Sequence, residues 1–222
     1  MNAPLPVLKI DLVSDVSCPW CAIGLSGLQQ AIEQVRGEMA VTVHCQPFEL
    51  NPKMAPGGQD IAEHLTEKYG STPAQQAQIR DMIRERGAAV GFEFSADGRG
   101  RIYNTFDAHR LLCWAGYHDA DRQVALKMAL LRACHRDRQA MDDPQVLLAA
   151  VAEAGLDVDA ARAVLVSGEL ADEVREQEAF YASHGISAVP AVIVNDRHLI
   201  SGGQPPQVYA QALRDIAAAM AD

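Results

Sequence analysis

The sequence predicts an α/β fold in which one sheet is interrupted by a long helical block. Three observations carry that prediction. Strand patterning occurs near the N-terminus, over Val7–Ser14 and again at Val41, Val43 and Cys45, with a helical stripe between the two. From about Gly58 to Gly185 the apolar spacing is helical and strand signals are few. Strand signals return at Ala191–Asn195 and His198–Ser201, close enough together to form a hairpin.

Each element has a local reason. Residues Val7–Ser14 alternate loosely and end just before a cysteine pair. Pro19 then suits the first turn of a helix, where a missing N–H costs nothing. Leu25, Leu28, Ile32 and Val35 recur at helical spacing and give one buried stripe, and Gly37 is a natural stop. Val41, Val43 and Cys45 alternate with Thr42, His44 and Gln46, so a second strand follows, and Pro47 and Pro52 bracket the turn after it. A right-handed crossover makes these two strands parallel.

In the middle, helices are expected over Asp60–Tyr69, Pro73–Val90, Thr105–Tyr117, Arg122–Arg136, Pro144–Ala154, Val158–Val166 and Leu170–Ser183. Asp142 or Asp143 caps the helix that opens at Pro144. The glycine-rich stretch Gly91–Tyr103 reads as a loop, with room for a short extended piece at Phe92–Phe94. After the hairpin, Gly202-Gly203 breaks the chain. Pro205-Pro206 starts a last helix with Tyr209, Leu213, Ile216 and Met220 on one stripe. The flanks, residues 1–57 and 170–222, are expected to share one domain, with residues 58–169 as a helical insertion.

Composition narrows the function classes. A chain of 222 residues buries most of its apolar surface without covalent staples, so its cysteines are not needed for folding. The formal net charge of -10 repels phosphate backbones, which argues against a nucleic-acid partner. No basic segment followed by an apolar one opens the chain. No apolar run reaches the roughly 20 residues of a membrane span. The expected address is therefore the cytoplasm, a reducing compartment, and no membrane partner is expected. Five cysteines, an odd count, also argue against a secreted disulfide framework. An exposed apolar patch on the insertion would support a homodimer.

The chemistry-bearing motif is Ser17-Cys18-Pro19-Trp20-Cys21, at a strand-to-helix junction. There the unpaired N–H groups and dipole of the helix favour an anion, so a thiolate at Cys18 is stabilised. Cys21 lies one turn further in, within reach of a mixed disulfide on Cys18. Cys18 is thus the candidate attacking thiol and Cys21 the candidate resolving thiol. Pro19 and Trp20 stiffen the loop, and neither carries charge, so the helix is expected to supply most of the stabilisation. Two other readings compete. A structural zinc site needs four ligands, and no second Cys-x-x-Cys or His-x-x-x-His is present, so no metal is expected. Two buried inert cysteines at chance spacing are the other. Further along, Pro190 follows Val189 just ahead of a strand. It is either an ordinary strand-start proline or a cis proline that frees the backbone of Val189 for an incoming peptide.

These residues together resemble the DsbA family of thioredoxin-fold proteins, and within it the FrnE-like branch. The resemblance rests on the Cys-Pro-Trp-Cys motif with Gly24, on Phe48-Glu49-Leu50-Asn51-Pro52, and on Asn104-Thr105 with Ala108-His109-Arg110-Leu111. Gly185-Ile186-Ser187-Ala188-Val189-Pro190 and Ser201-Gly202-Gly203-Gln204 complete it. It implies a thioredoxin fold interrupted by the helical insertion, and a cis Val189–Pro190 bond lying against the dithiol. It implies dithiol–disulfide exchange with protein or small thiols. No cofactor is expected beyond the redox-active disulfide itself, with glutathione as a candidate co-substrate. Ala22 stands where the family often has tyrosine. The same superfamily holds glutathione-dependent 2-hydroxychromene-2-carboxylate isomerases and kappa-class glutathione transferases. These generally have serine in place of Cys18, and they form the alternative reading.

The remaining candidates each face a plainer reading. Asn51 would contact the active-site loop or a glutathione-like ligand, or it is a turn residue. His109 would face Cys18 and stabilise its thiolate, or it is a surface or core histidine. Asn104 caps a helix. Arg99-Gly100-Arg101 would hold an anion, or it is a solvated loop. Cys45 is expected to be buried and inert. Cys113 and Cys134 are far enough apart in sequence for a bridge that spacing neither requires nor excludes.

Overall fold

The computed structural model describes residues 5–220; the N-terminal reading at residues 1–4 lies outside them. The chain opens with strand β1 (Val7–Ser14), helix α1 (Pro19–Val35) and strand β2 (Ala40–Pro47). The middle holds β3 (Gln59–Asp60), α2 (Ile61–Tyr69), α3 (Pro73–Ala89), β4 (Arg101–Ile102), α4 (Phe106–His118), α5 (Ala120–His135), α6 (Pro144–Glu153) and α7 (Val158–Ser167). It closes with α8 (Ala171–Ser183), β5 (Ala191–Val194), β6 (His198–Ser201) and α9 (Pro206–Ala219). The strands at both ends form one sheet in the order β2-β1-β5-β6. β1 and β2 run parallel, in a register that sets Leu12 beside Cys45, and β5 and β6 pair antiparallel.

Caps fix the helix starts, and the one before Pro144 is the cap the sequence suggests. Asp60, Asp119, Asp143 and Asp157 each accept first-turn N–H groups of the helix they precede. Thr72 and Gln75 make a capping box at α3. Three local expectations are corrected. Phe92–Phe94 pairs in no strand; its two rings meet at a tilt, centroids 4.7 Å apart and planes at 53°, and pack into the core. The extended pair is instead β3 with β4, two residues each, too short for alternation to reveal. Met220 follows α9 and is exposed rather than on its buried stripe, and α1 ends at Val35 without a left-handed Gly37.

The interior has two main clusters. One lies between the sheet and α1 with α9, built from Leu8, Ile10, Leu25, Leu28, Val192 and Leu213. The other lies among α4–α7, around Leu111, Leu126, Leu130, Leu147 and Val151. Helix α5 serves both: Val124 and Leu131 face the first, Leu126 and Leu130 the second. It also closes an edge of the sheet. The Gln123 amide accepts from the Cys45 N–H at 2.8 Å and donates to the Cys45 carbonyl at 3.1 Å. A side chain thus replaces the next strand.

Candidate redox-active site

Cys18 occupies the N-cap position of α1, with an extended backbone, and Pro19 fills the first helical position. The Cys21 N–H closes the first turn on the Cys18 carbonyl at 3.1 Å. Cys18 is 4% exposed and Cys21 fully buried, and both are free thiols. A hydrogen bond from the Cys21 thiol lowers the Cys18 pKa most, with the N–H groups of Cys21 and Trp20 adding to it against the effect of burial. Cys21 is pushed well up, first by burial and then by its bond to Cys18. Of the two thiols, Cys18 is therefore the one that ionises more readily. The helix contributes, but the neighbouring thiol contributes more, which corrects the expectation that the helix dominates.

The peptide bond between Val189 and Pro190 is cis. The Val189 carbonyl lies 3.7 Å from the Cys18 sulfur, and Pro190 is buried against α1. Gly24 makes that approach feasible, since a Cβ there would stand 2.9 Å from the Pro190 ring. Trp20 is half-buried against the first core cluster.

Beneath the motif lies Asp15, which sequence reasoning missed. It is fully buried and accepts four hydrogen bonds, from Ser17 N–H (3.0 Å), Ser17 Oγ (2.9 Å), Leu50 N–H (2.7 Å) and Thr105 Oγ1 (2.9 Å). His109 Nε2 stands 3.4 Å from its Oδ1, within ion-pair distance but off hydrogen-bond geometry. Burial works against the Asp15 charge, yet His109 and the N–H groups of Leu50 and Ser17 hold its carboxyl well below the usual range. The only sequence signal was an acid three residues before Cys18, at the end of an apolar strand.

The other candidates take defined places. His109 is buried and faces Asp15 rather than Cys18, and burial lowers its pKa. Asn51 accepts from Lys68 Nζ at 2.8 Å, and the same ammonium binds the Leu50 carbonyl; the residue holds its turn to α2. Asn104 accepts the Phe106 N–H at 2.9 Å, leaving Thr105 for Asp15. The loop of Arg99 and Arg101 is pinned by hydrogen bonds, although Arg101 is exposed: Arg99 donates to the Ser17 carbonyl, and Arg101 to the Gly57 and Gly58 carbonyls. Cys45 is buried and pushed up to about 11 by burial. Cys113 contacts Gln177 of α8, while Cys134 lies by Arg99, and burial raises both thiols. Among the described residues no group of three or more His, Cys, Asp or Glu side chains gathers to hold a metal ion.

Comparison with known proteins agrees with this architecture. The model of the DSBA-like thioredoxin domain matches residues 9–214. A solved structure of a probable DsbA oxidoreductase from Streptomyces coelicolor is 33% identical, with a TM-score of 0.83 over 94% of this chain and 89% of that one. A 2-hydroxychromene-2-carboxylate isomerase shares the fold at 16% identity and TM-score 0.70, over 96% and 98% of the two chains. The cytosolic disulfide reductase DsbM of Pseudomonas aeruginosa, solved with GSH, does so at 19% identity and TM-score 0.63, over 93% and 97%. With nearly the whole chain spanned by the family model and by a relative of one-third identity, the chain belongs to the DSBA-like thioredoxin domain family.

Proposed function

We propose that the protein is a thiol–disulfide oxidoreductase of the FrnE-like branch, acting in the cytoplasm. Cys18 attacks a substrate disulfide, Cys21 resolves the mixed disulfide, and the backbone of Val189 beside Pro190 aligns the substrate. The observation that carries this reading is the Cys18 thiol itself. It is shifted toward the thiolate, hydrogen-bonded by the Cys21 thiol, and set 3.7 Å from the Val189 carbonyl. A lowered thiol pKa with a second thiol in reach is what exchange requires.

Access narrows the substrate. With Cys18 only 4% exposed, a narrow disulfide fits better than one in a folded surface. Glutathione disulfide or an extended cysteine-containing peptide meets that demand. Among the described residues no helix is long and apolar enough to cross a membrane.

The test is a redox titration of the Cys18–Cys21 pair in glutathione buffers, joined to turnover of glutathione disulfide and of reduced insulin formation. Cys18→Ser should abolish exchange, and Cys21→Ser should trap a mixed disulfide. Full exchange by Cys18→Ser would sink the proposal. Saturable glutathione binding with isomerase activity that survives Cys21→Ser would favour the isomerase reading instead.

A further inference from the structure

Among the described residues, two cations beside the redox motif pair with no carboxylate. Arg99, in the loop before β4, donates through Nη1 to the Ser17 carbonyl, one peptide bond ahead of Cys18. Lys68, in the last turn of α2, donates at 2.8 Å to the Leu50 carbonyl and to Asn51 Oδ1. Hydrogen bonds tie both to one place, because the N–H groups of Leu50 and Ser17 donate to the Asp15 carboxylate. Burial, then the Lys68 and Arg99 charges, hold the pKa of His64 in α2 down. A third cation, Lys127 of α5, is fully buried on the Ser14 carbonyl at 3.1 Å and is closed to a ligand.

The missing acid partners are informative in this chain. Its formal net charge is -10, and Arg110, Arg132, Arg136, Arg138, Arg175 and Arg214 each find a carboxylate. Glu67, the acid next to Lys68 in sequence, is held by the Gln59 amide at 2.7 Å. Arg99 is half-buried, and its Nε and Nη2 are bonded to no oxygen among the described residues. Arg214 uses that same edge to grip Glu38, at 2.7 Å through each nitrogen. Two parallel N–H groups on one edge of a guanidinium match a carboxylate. Lys68 is exposed and keeps a third donor.

We propose that Arg99 and Lys68 form a carboxylate-binding rim for the substrate, so that the protein takes small disulfides carrying free carboxylates, with glutathione disulfide as the probe. The proposal rests on the dithiol reading above. Standard bond and hydrogen-bond lengths put the Arg99 guanidinium roughly 9 Å or less from the Cys18 sulfur. An extended glutathione arm spans about 7 Å from its sulfur to its terminal carboxyl, so a disulfide in line with Cys18 reaches the guanidinium. The second carboxylate of the same glutathione is left for Lys68. An internal peptide segment has no chain-end carboxylate to offer.

The exchange served is balanced. Cys18 thiolate bonds to one sulfur of the disulfide, the disulfide bond breaks, and its electron pair leaves with the other glutathione as a thiolate. Cys21 then gives its proton to solvent, bonds to Cys18 and displaces the bound glutathione as a second thiolate. The disulfide gains the two electrons that the dithiol loses.

The experiment follows oxidation of the reduced full-length protein by acid quenching and mass spectrometry, with glutathione disulfide and with the neutral bis(2-hydroxyethyl) disulfide. Each second-order rate constant is divided by that of free dithiothreitol with the same disulfide under the same conditions. Wild type should favour glutathione disulfide. That preference should fall about tenfold in Arg99→Gln and about threefold in Lys68→Gln, and Arg99→Lys should keep more of it than Arg99→Gln. Damage to the fold or to the motif slows both disulfides alike and leaves the preference where it was. Salt supplies a second measurement on the wild-type protein alone. The rim predicts that added salt slows glutathione disulfide, whereas the net charge of -10 acting without a rim predicts that salt speeds it. An unchanged preference in either glutamine variant, or a glutathione disulfide rate that rises with salt, would overturn the rim. Failure of the wild-type protein to react with either disulfide would instead overturn the dithiol reading, and this proposal with it.

Discussion

At the scale of single residues, the buried ionisable groups around the motif set the response to pH. His135 is buried, bonds the Val16 carbonyl through Nε2 at 2.9 Å, and is pushed down to about 3 by burial. Unfolded, it binds a proton near 6.5; folded, it does not until about 3. The unfolded state therefore holds the extra proton across that window, and stability falls as pH falls from 6.5 to 3. His109 acts with the same sign. The stability advantage of wild type over His135→Gln should shrink by about 1.4 kcal/mol per pH unit through this range. Urea unfolding of both proteins at several pH values measures it; a constant gap would refute the account. Asp15 works at lower pH, where stability present above 3.8 is lost as its carboxyl finally protonates. Its charge also opposes the Cys18 thiolate. Asp15→Asn should therefore alkylate faster at Cys18 in mildly acid buffer, though less stable by about 1–3 kcal/mol through weakened buried hydrogen bonds.

At the scale of elements, two glycine and amide contacts seat the motif. A Cβ on Gly24 meets the Pro190 ring at 2.9 Å, so Gly24→Ala must separate α1 from the β5 approach. It should cost about 1–3 kcal/mol and reduce exchange, since the Val189 carbonyl moves with Pro190. Gln123→Ala strands the N–H and C=O of Cys45, at roughly 1–3 kcal/mol per buried group, with the Cys18 thiol unaffected. Denaturant melts joined to alkylation rates separate the two variants. Most elements were legible in advance because their signals are local: apolar spacing for α1 and α5, the aspartate before Pro144, and Gly202-Gly203 after the hairpin. The strands β3 and β4 were not, because two residues show no period. The Asp15 hub was hidden for a different reason. Its partners come from positions 17, 50, 105 and 109, and only the fold brings them together. Lys127 was hidden in the same way: a lone lysine in an apolar stripe says nothing about which carbonyl it meets.

At the scale of the whole molecule, the question is whether the helical block and the sheet fold as separate units. The boundaries proposed from sequence, at residues 58 and 169, fall in connecting segments, but the interior does not divide there. Helix α5 gives Val124 and Leu131 to the core under the sheet and Leu126 and Leu130 to the core among the helices. Asp15 joins the motif to Thr105 and His109 of the block, and Gln123 completes the edge of β2. Unfolding either part would leave a buried carboxylate, a buried lysine and strand-edge groups without partners, each a substantial loss. We therefore expect a single cooperative transition. The two tryptophans make this measurable, because Trp20 packs against the sheet core and Trp114 in the helical core. Trp20→Phe leaves Trp114 as the reporter, and Trp114→Phe leaves Trp20. In each variant the fluorescence transition in urea should coincide with its own far-ultraviolet circular dichroism transition. A fluorescence midpoint displaced from the circular dichroism midpoint, in opposite directions for the two variants, would mean that the block and the sheet melt independently. The Asp15, Gln123 and Lys127 contacts would then be too weak to couple them.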